Sequence, residues 1–150
     1  MDRESADRLA IRELVDRYNE AVNHRDWPAL EALFTADAVW EVAPPINLRF
    51  AGAKPIREGI TWSVGRLEFL VQTSAALVIE IESPERASAR STMVEFGRAN
   101  AGGSGMHAAG TYYDNLVKQN GEWRFEHRTF RVRYMDEEAM PGKVFDDAHR

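Results

Sequence analysis

Apolar residues recur at helical spacing in the first part of the chain. They predict an amphipathic helix over residues 5–23, with Ser5 as its N-cap. The residues that share its apolar face are Ile11, Leu14, Val15, Tyr18 and Val22. Asn23 ends this helix, and Asp26 can cap a second, shorter one whose first turn tolerates Pro28.

The next segments alternate between strand and helix patterns. Residues 35–37 predict a turn, and residues 38–43 predict a first strand that the following two prolines end. A loop to Gly52 leads to a third helix over about residues 55–64, with apolar residues on one face. From residue 67 onward, four long strands are predicted, over residues 67–81, 87–98, 106–119 and 122–134.

Turn residues separate these long strands, and the Asn120-Gly121 pair is the strongest hairpin signal among them. Helices followed by long antiparallel strands predict an α+β fold with the helices closing a pocket over the sheet. We find no repeat, linker or domain boundary, so residues 1–150 are expected to form one domain. The tail from about residue 136 lacks a period and is expected to be mobile or packed on a partner.

Composition narrows the functional class. The chain has 150 residues, of which 44% are hydrophobic, and no apolar run approaches the roughly 20 residues of a membrane span. The net charge of −5 argues against nucleic acid as a partner. The arginines near the end are expected to be solvated or at an interface: Arg124, Arg128, Arg131 and Arg133. The absence of cysteine fits a reducing compartment, and we expect a cytoplasmic protein.

Several motifs together resemble the SnoaL-like branch of the nuclear-transport-factor-2-like superfamily. They are a helix holding Tyr18, the Asp26-Trp27 restart, the stretch LFTADAVWEV, and the closing pair GTYYDNLVKQNGEWRFEHRTF. The resemblance covers about residues 5–134. It implies a cone-shaped, curved antiparallel sheet of about four to six strands, closed by the N-terminal helices. The branch includes dehydratases and polyketide cyclases as well as non-catalytic subunits.

The resemblance also implies a catalytic site that this chain alters. Dehydratase-type members use an aspartate–histidine pair with tyrosines that face the cone. Asn23 stands at the aspartate position, and no histidine occurs near Ser74, where its partner is expected. Val42 takes the place of a first-strand tyrosine, and Tyr18 alone matches. Since an amide cannot stabilise an imidazolium as an ion, the known dyad chemistry does not transfer.

Glu95 is the leading acid/base candidate. Alternation along its strand puts Met93 and Glu95 on one face and Val94 on the other. If that face lines the pocket, desolvation would raise the pKa of Glu95 toward neutrality. The alternative is a surface glutamate paired with an arginine.

Histidine and tyrosine supply the other polar candidates. His107, among small residues, is either a ligand-facing acid or an exposed strand end, and His127 shares the face of Trp123 and Phe125. Tyr18 and Asn23 can donate hydrogen bonds to a ligand or serve as a core tyrosine and a helix stop. Tyr112 and Asp114 share one face of their strand. The candidates for substrate contact are Trp40, Val42, Ser74, Met93, Tyr112, Tyr113 and Asp114.

These residues favour a cofactor-independent enzyme that acts on a hydrophobic, oxygenated small molecule. Glu95 would move a proton beside a carbonyl, leading to elimination, isomerisation or cyclisation. The alternative is a non-catalytic ligand-binding protein or structural subunit of the same fold. The sequence has no metal-ligand spacing and no phosphate-binding motif, so no cofactor is expected. By resemblance, we expect a homo-oligomer, dimer or trimer, assembled through the outer face of the sheet.

Overall fold

Three α-helices and a six-stranded sheet make up the described part of the chain, confirming the predicted α+β fold. The structure, a computed structural model, describes residues 1–147. The elements in chain order are α1 (Arg3–Asn23), α2 (Trp27–Glu31), β1 (Phe34–Val42), β2 (Leu48–Ala51), α3 (Ala53–Gly65), β3 (Leu67–Ser83), β4 (Arg86–Ala99), β5 (Gly105–Gln119) and β6 (Glu122–Asp136). A 3-10 turn over Asn100–Gly102 joins β4 to β5.

The strands lie in the order β2-β1-β6-β5-β4-β3. The last four form an antiparallel meander, whereas β1 pairs with β6 in parallel, so the sheet is mixed. Bulges interrupt the ladders, for instance between Ala75 and Val78 on β3 and at Arg133 on β6, opposite Ala109 and Gly110. Because a bulge bends its strand and increases the local twist, these irregularities curve the sheet around the helices.

Some predicted boundaries are wrong. The N-cap of α1 is Asp2, whose carboxylate accepts the backbone N–H of Ser5 at 2.9 Å, so the helix begins before Ser5. Residues 35–37 form strand and not turn, because β1 already begins at Phe34, which pairs with Phe125 of β6. The predicted loop before Gly52 contains β2, which pairs with β1. The cap at Asp26 is confirmed by its bond from the backbone N–H of Ala29.

The two faces of the sheet differ in their surroundings. The inner face, which carries Met93, Tyr112 and Phe130, packs under α1 and α3 and is buried. The outer face, which carries Val94 and Tyr113, is exposed. The predicted alternation along β4 and β5 is therefore confirmed. It places Glu95 on the inner face, in the layer between helices and sheet.

The predicted tail packs against its own chain as far as Asp147. The backbone carbonyl of Glu138 accepts a hydrogen bond from the backbone N–H of Gly105 at 3.0 Å. The Arg98 guanidinium donates to the backbone carbonyls of Met140 and Gly142. The described part of the tail is thus tied to the start of β5 and the end of β4, and the remaining residues 148–150 lie outside the described residues. In the described chain, no helix has the length and apolarity to cross a membrane.

Candidate active site

A cavity of about 430 Å³ lies between the helices and the inner face of the sheet. Its walls are mainly apolar, with Val22 from α1, Ile60 and Val64 from α3, and Leu70 from β3. Exposed residues such as Arg66 and Glu137 line its mouth. This size and this lining suit a small hydrophobic ligand.

Glu95 is the acidic group of the cavity wall. Its side chain is half-buried on β4, next to Met93 on the same face. Among residues 1–147 its carboxylate has no hydrogen-bond or ion-pair partner. Burial against apolar neighbours raises the pKa of Glu95 from 4.5 to about 7. A carboxyl group in this state can both take and give a proton near neutral pH.

Three aromatic side chains present hydrogen-bonding groups to the same cavity. The indole N–H of Trp40 donates to the hydroxyl of Tyr18 at 3.1 Å and to that of Tyr112 at 3.3 Å. The two hydroxyls are 3.3 Å apart and share one further hydrogen bond. We call this group the tyrosine–tryptophan cluster. Burial raises the pKa of both tyrosines, so both hydroxyls stay protonated.

The hydrogen bonds of this cluster leave one donor free. Each of the three groups carries one hydrogen. The indole hydrogen is shared between both oxygens, and one hydroxyl donates to the other. The second hydroxyl hydrogen has no acceptor among residues 1–147. Because Tyr18, Trp40 and Tyr112 all line the cavity, that hydrogen is available to an oxygen atom of a ligand.

A buried positive charge lies behind the cluster. The Arg128 guanidinium is 3.7 Å from the centre of the Tyr112 ring and 4.3 Å from that of Tyr18. It is fully buried and forms two hydrogen bonds with Asp114, at 2.8 and 3.2 Å. Burial lowers the pKa of Arg128, but the Asp114 carboxylate together with Tyr112 and Tyr18 more than offsets this, so the pKa is raised. The prediction that Arg128 is solvated or at an interface is therefore wrong.

Asn23 is not part of the cavity wall. Its side-chain amide donates to the carbonyl of Gln72 and accepts the backbone N–H of the same residue, both at 2.8 Å. This pair of bonds fixes the end of α1 to β3. The residue at the family's aspartate position therefore holds backbone, and its predicted catalytic role gains no geometric support.

The structure separates the other predicted site residues into two groups. Trp40, Val42, Met93 and Tyr112 line the cavity with Glu95 and Tyr18. The residues outside its lining are Ser74, His107, Tyr113 and Asp114. Ser74 lies on β3 beyond Gln72, and the carboxylate of Asp114 accepts hydrogen bonds from Arg128. Their substrate-binding and catalytic roles stay predictions, without a place in the cavity to support them.

Of the two alternatives for His107, the structure agrees with the exposed strand end, whereas the face predicted for His127 is wrong. His107 is exposed on the outer face, where its ring contacts Phe96 and Tyr134 with centroids 6.4 Å apart in each case. His127 pairs with Asn115 beyond a bulge and does not share the face of Phe125. Among residues 1–147, no three acidic or histidine side chains are grouped closely enough to hold a metal ion.

Sequence reasoning missed two residues that shape the site, Gln72 and Arg128. Gln72 lines the cavity opposite Glu95 on the neighbouring strand. Its alternation with Leu70 on β3 was a usable signal, since both side chains face inward. Arg128 had no such signal, because its inward direction depends on the bulge in β6.

Solved structures with the same fold include proteins of several descriptions. A proposed scytalone dehydratase from Novosphingobium aromaticivorans shares 20% identity at a TM-score of 0.82, over 99% of this chain and 97% of that one. A hexachlorocyclohexane dehydrochlorinase from Novosphingobium barchaimii shares 20% identity at 0.82, over 97% of each chain. A Mycobacterium tuberculosis protein of unknown function shares 25% identity at 0.75, over 86% of this chain and 73% of that one.

The first two likenesses, at 20% identity, show the fold and not the reaction. No curated protein matches the sequence. The sequence model of the SnoaL-like domain matches residues 3–129, which is most of the chain and agrees with the curved sheet and its helices. The protein therefore belongs to the SnoaL-like domain family of the nuclear-transport-factor-2-like superfamily.

Proposed function

We propose that the protein is a cofactor-independent enzyme of the lyase, isomerase or cyclase type, acting on a hydrophobic, oxygenated small molecule. The observation that carries this proposal is Glu95, an unpartnered carboxyl group in an apolar cavity with a pKa of about 7. An ordinary structural carboxylate would be paired or solvated. The family relationship supports the same class without naming a substrate.

The proposed reaction begins with proton abstraction beside a carbonyl group. The Glu95 carboxylate takes a proton from the carbon, and the electrons of that C–H bond move onto the carbonyl oxygen as an enolate. The protonated Glu95 then returns the proton to another carbon or to a leaving group. The first outcome is isomerisation, and the second is elimination. Attack of the enolate carbon on a second carbonyl carbon would give cyclisation, with the protonated Glu95 returning its proton to the alkoxide that forms.

The tyrosine–tryptophan cluster would hold the enolate oxygen. Its free hydroxyl hydrogen belongs to a side chain that lines the cavity, and a prearranged donor away from bulk water stabilises developing negative charge. Arg128 lies behind the rings of Tyr18 and Tyr112 and would strengthen this effect through its positive charge. The negative charge of Glu95 adds to the effect of burial in raising the pKa of both tyrosines, so the Glu95 carboxylate and the cluster interact electrostatically.

Two structural neighbours lend limited support. One is described as a proposed scytalone dehydratase and the other as a hexachlorocyclohexane dehydrochlorinase, names that both describe eliminations. A single acid/base group can catalyse elimination beside an activated carbon when its pKa lies near the working pH. The analogy is at the level of the fold and names no substrate for this chain.

A probe ketone tests this proposal without knowledge of the substrate. The exchange of the α-protons of 2-tetralone for deuterium, followed by NMR in D₂O, measures proton abstraction directly. We expect saturable acceleration by the wild-type protein and a loss of at least roughly a hundredfold in Glu95→Gln. Glu85→Gln, on the exposed turn between β3 and β4, is the matched control. Equal exchange with and without the wild-type protein would contradict the proposal.

A non-catalytic binding protein or structural subunit is the second candidate. The observation that favours it concerns Asn23, which stands at the position of the catalytic aspartate. Its side-chain amide is hydrogen-bonded to the backbone of Gln72 and, within residues 1–147, does not pair with a histidine. This alternative keeps the cavity and its small hydrophobic ligand. It predicts tight binding of 2-tetralone or larger ketones with no acceleration of exchange.

A further inference from the structure

Gln72 is the one buried polar side chain of the cavity that the proposed function leaves without a role. It lies on β3, is 4% exposed, and lines the cavity. Its side-chain nitrogen is buried and has no hydrogen-bond partner among residues 1–147. Since buried amide groups are almost always hydrogen-bonded in native proteins, an unpartnered donor on a side chain that lines a cavity indicates a partner from the ligand.

The backbone of Gln72 is fixed on both sides. Asn23 holds its N–H and its carbonyl at 2.8 Å each, from the end of α1. On β4, Glu95 is its direct cross-strand partner. Directly opposite residues of an antiparallel pair have Cβ atoms about 4.5–5.5 Å apart on the same face. The amide of Gln72 and the carboxyl of Glu95 are therefore neighbours on one wall, and no hydrogen bond joins them.

We propose that Gln72 is a ligand-binding residue that determines specificity, with Asn23 as the positioning residue that holds it. Its amide N–H would donate to a second oxygen of the ligand, distinct from the oxygen held by the tyrosine–tryptophan cluster. This inference rests on the proposed function, in which that cluster holds the first oxygen of the ligand. It adds the ligand class: an apolar body with one oxygen at each end, the second one an acceptor.

The cavity supports this geometry. Gln72 lies on β3 at one edge of the sheet, two strands away from Tyr112 on β5 and four strands away from Trp40 on β1. The strand register places Met93, an apolar side chain of the cavity wall, between the row of Tyr112 and the row of Gln72. A ligand with a single oxygen would satisfy the cluster and leave the amide of Gln72 buried and unbonded, at a cost in affinity.

The test compares probes that differ in one acceptor. We would measure the Kd of 6-acetyl-2-naphthol and 6-isopropyl-2-naphthol, which match in shape, and of the corresponding 7-substituted pair. In the wild-type protein, we expect the acetyl compound of at least one pair to bind about tenfold more tightly, as for one well-placed hydrogen bond. In Gln72→Met this preference should fall below about twofold while the isopropyl compound binds as before.

Two results would overturn the inference. One is an acetyl preference in Gln72→Met equal to that of the wild-type protein, and the other is no preference in the wild-type protein with either pair. Thr73→Val, on the exposed face of the same strand, is the matched control and should keep the wild-type preference. Asn23→Ala should reduce the preference without abolishing binding, because the backbone that carries the Gln72 side chain would no longer be held in place.

A measurement on the wild-type protein covers the case in which Gln72→Met does not fold. The chain has two glutamines, Gln72 and the exposed Gln119, so ¹⁵N-glutamine labelling gives two side-chain amide signals. The acetyl probe should shift the Gln72 signal downfield, and the isopropyl probe should not. If this shift is seen while Glu95→Gln leaves ketone exchange unchanged, the binding role of Gln72 stands and the catalytic proposal fails.

Discussion

Arg128 illustrates how one buried charge organises a site at the scale of single residues. A fully buried guanidinium is costly unless it is compensated, and here Asp114 supplies two hydrogen bonds and the opposite charge. Three aromatic rings, those of Tyr18, Tyr112 and Phe125, lie within 4.3 Å of the guanidinium carbon. The pair thus holds both tyrosines of the candidate site in place.

Removing the charge of Arg128 should destabilise the protein strongly. In Arg128→Met the Asp114 carboxylate is left buried and unpaired, so we expect the free energy of unfolding to fall by about 3–5 kcal/mol. Urea denaturation followed by circular dichroism measures the change. Adding Asp114→Asn should recover part of the loss, since the unpaired charge is then removed.

An exposed ion pair supplies the control for this prediction. Arg86 and Glu126 are 3.1 Å apart with side chains 59% and 39% exposed. Arg86→Met should cost less than about 1 kcal/mol, because surface ion pairs contribute little. A similar fall in the free energy of unfolding for the two arginine variants would show that the buried pair stabilises the protein no more than an exposed one.

At the scale of elements, the junction between α1 and β3 is set by one amide. Asn23 needs both its N–H and its oxygen to satisfy the backbone of Gln72, and an aspartate offers acceptors only. The residue at this position therefore cannot be exchanged for the family's acid without a new conflict. One carboxylate oxygen would lie against the carbonyl oxygen of Gln72.

Asn23→Asp should be destabilising in a pH-dependent way. The repulsion from the carbonyl of Gln72 raises the folded-state pKa of the introduced carboxyl group above its unfolded value. Its cost is therefore absent at low pH, appears as the pH rises through the unfolded pKa, and is complete above the folded pKa. We expect a deficit of about 1–3 kcal/mol against the wild-type protein at pH 7 and a smaller one at pH 4. A deficit that is equal at both values would contradict the role of the amide.

The elements differ in how far local sequence determines them. The helices and the four long strands follow from periodicity and turn residues, and the direction of Glu95 follows from strand alternation. The parallel pairing of β1 with β6 depends on residues nearly ninety positions apart, for which no local pattern exists. The bulge that turns Arg128 inward and His127 outward is likewise visible only in the register of paired strands.

At the scale of the whole molecule, the outer face of the sheet carries an apolar patch. We define it by Val94, Phe96 and Tyr134, which are 40%, 43% and 57% exposed on β4 and β6, with His107 between the two rings. A contiguous exposed apolar patch on a sheet favours association. We propose that the homo-oligomer expected from the resemblance assembles through this patch.

Light scattering after size exclusion tests this expectation. We expect a dimer or trimer for the wild-type protein and a smaller species for Phe96→Glu, whose charge would be buried in the interface. Trp62→Glu changes an exposed aromatic residue on α3 and should leave the assembly intact. A wild-type monomer at micromolar concentration would contradict the expectation.

The buried carboxyl of Glu95 also affects the stability of the whole molecule. Its folded-state pKa of about 7 lies above the ordinary 4.5, so folding disfavours the ionised form. The wild-type protein should lose stability relative to Glu95→Gln as the pH rises from about 4.5 to about 7, by roughly 3 kcal/mol, with no further change above. Denaturation of both proteins at pH 4, 6 and 8 measures this difference. A difference independent of pH would mean that the carboxyl is solvated.

The most direct measurement is the pKa of Glu95 itself. Carboxyl-carbon NMR titration gives it in the absence of any ligand, with the signal assigned by its loss in Glu95→Gln. The arrangement of an unpartnered carboxyl in an apolar cavity predicts a value near 7. A value at or below the ordinary 4.5 would contradict the acid/base account and leave the cavity as a binding site alone.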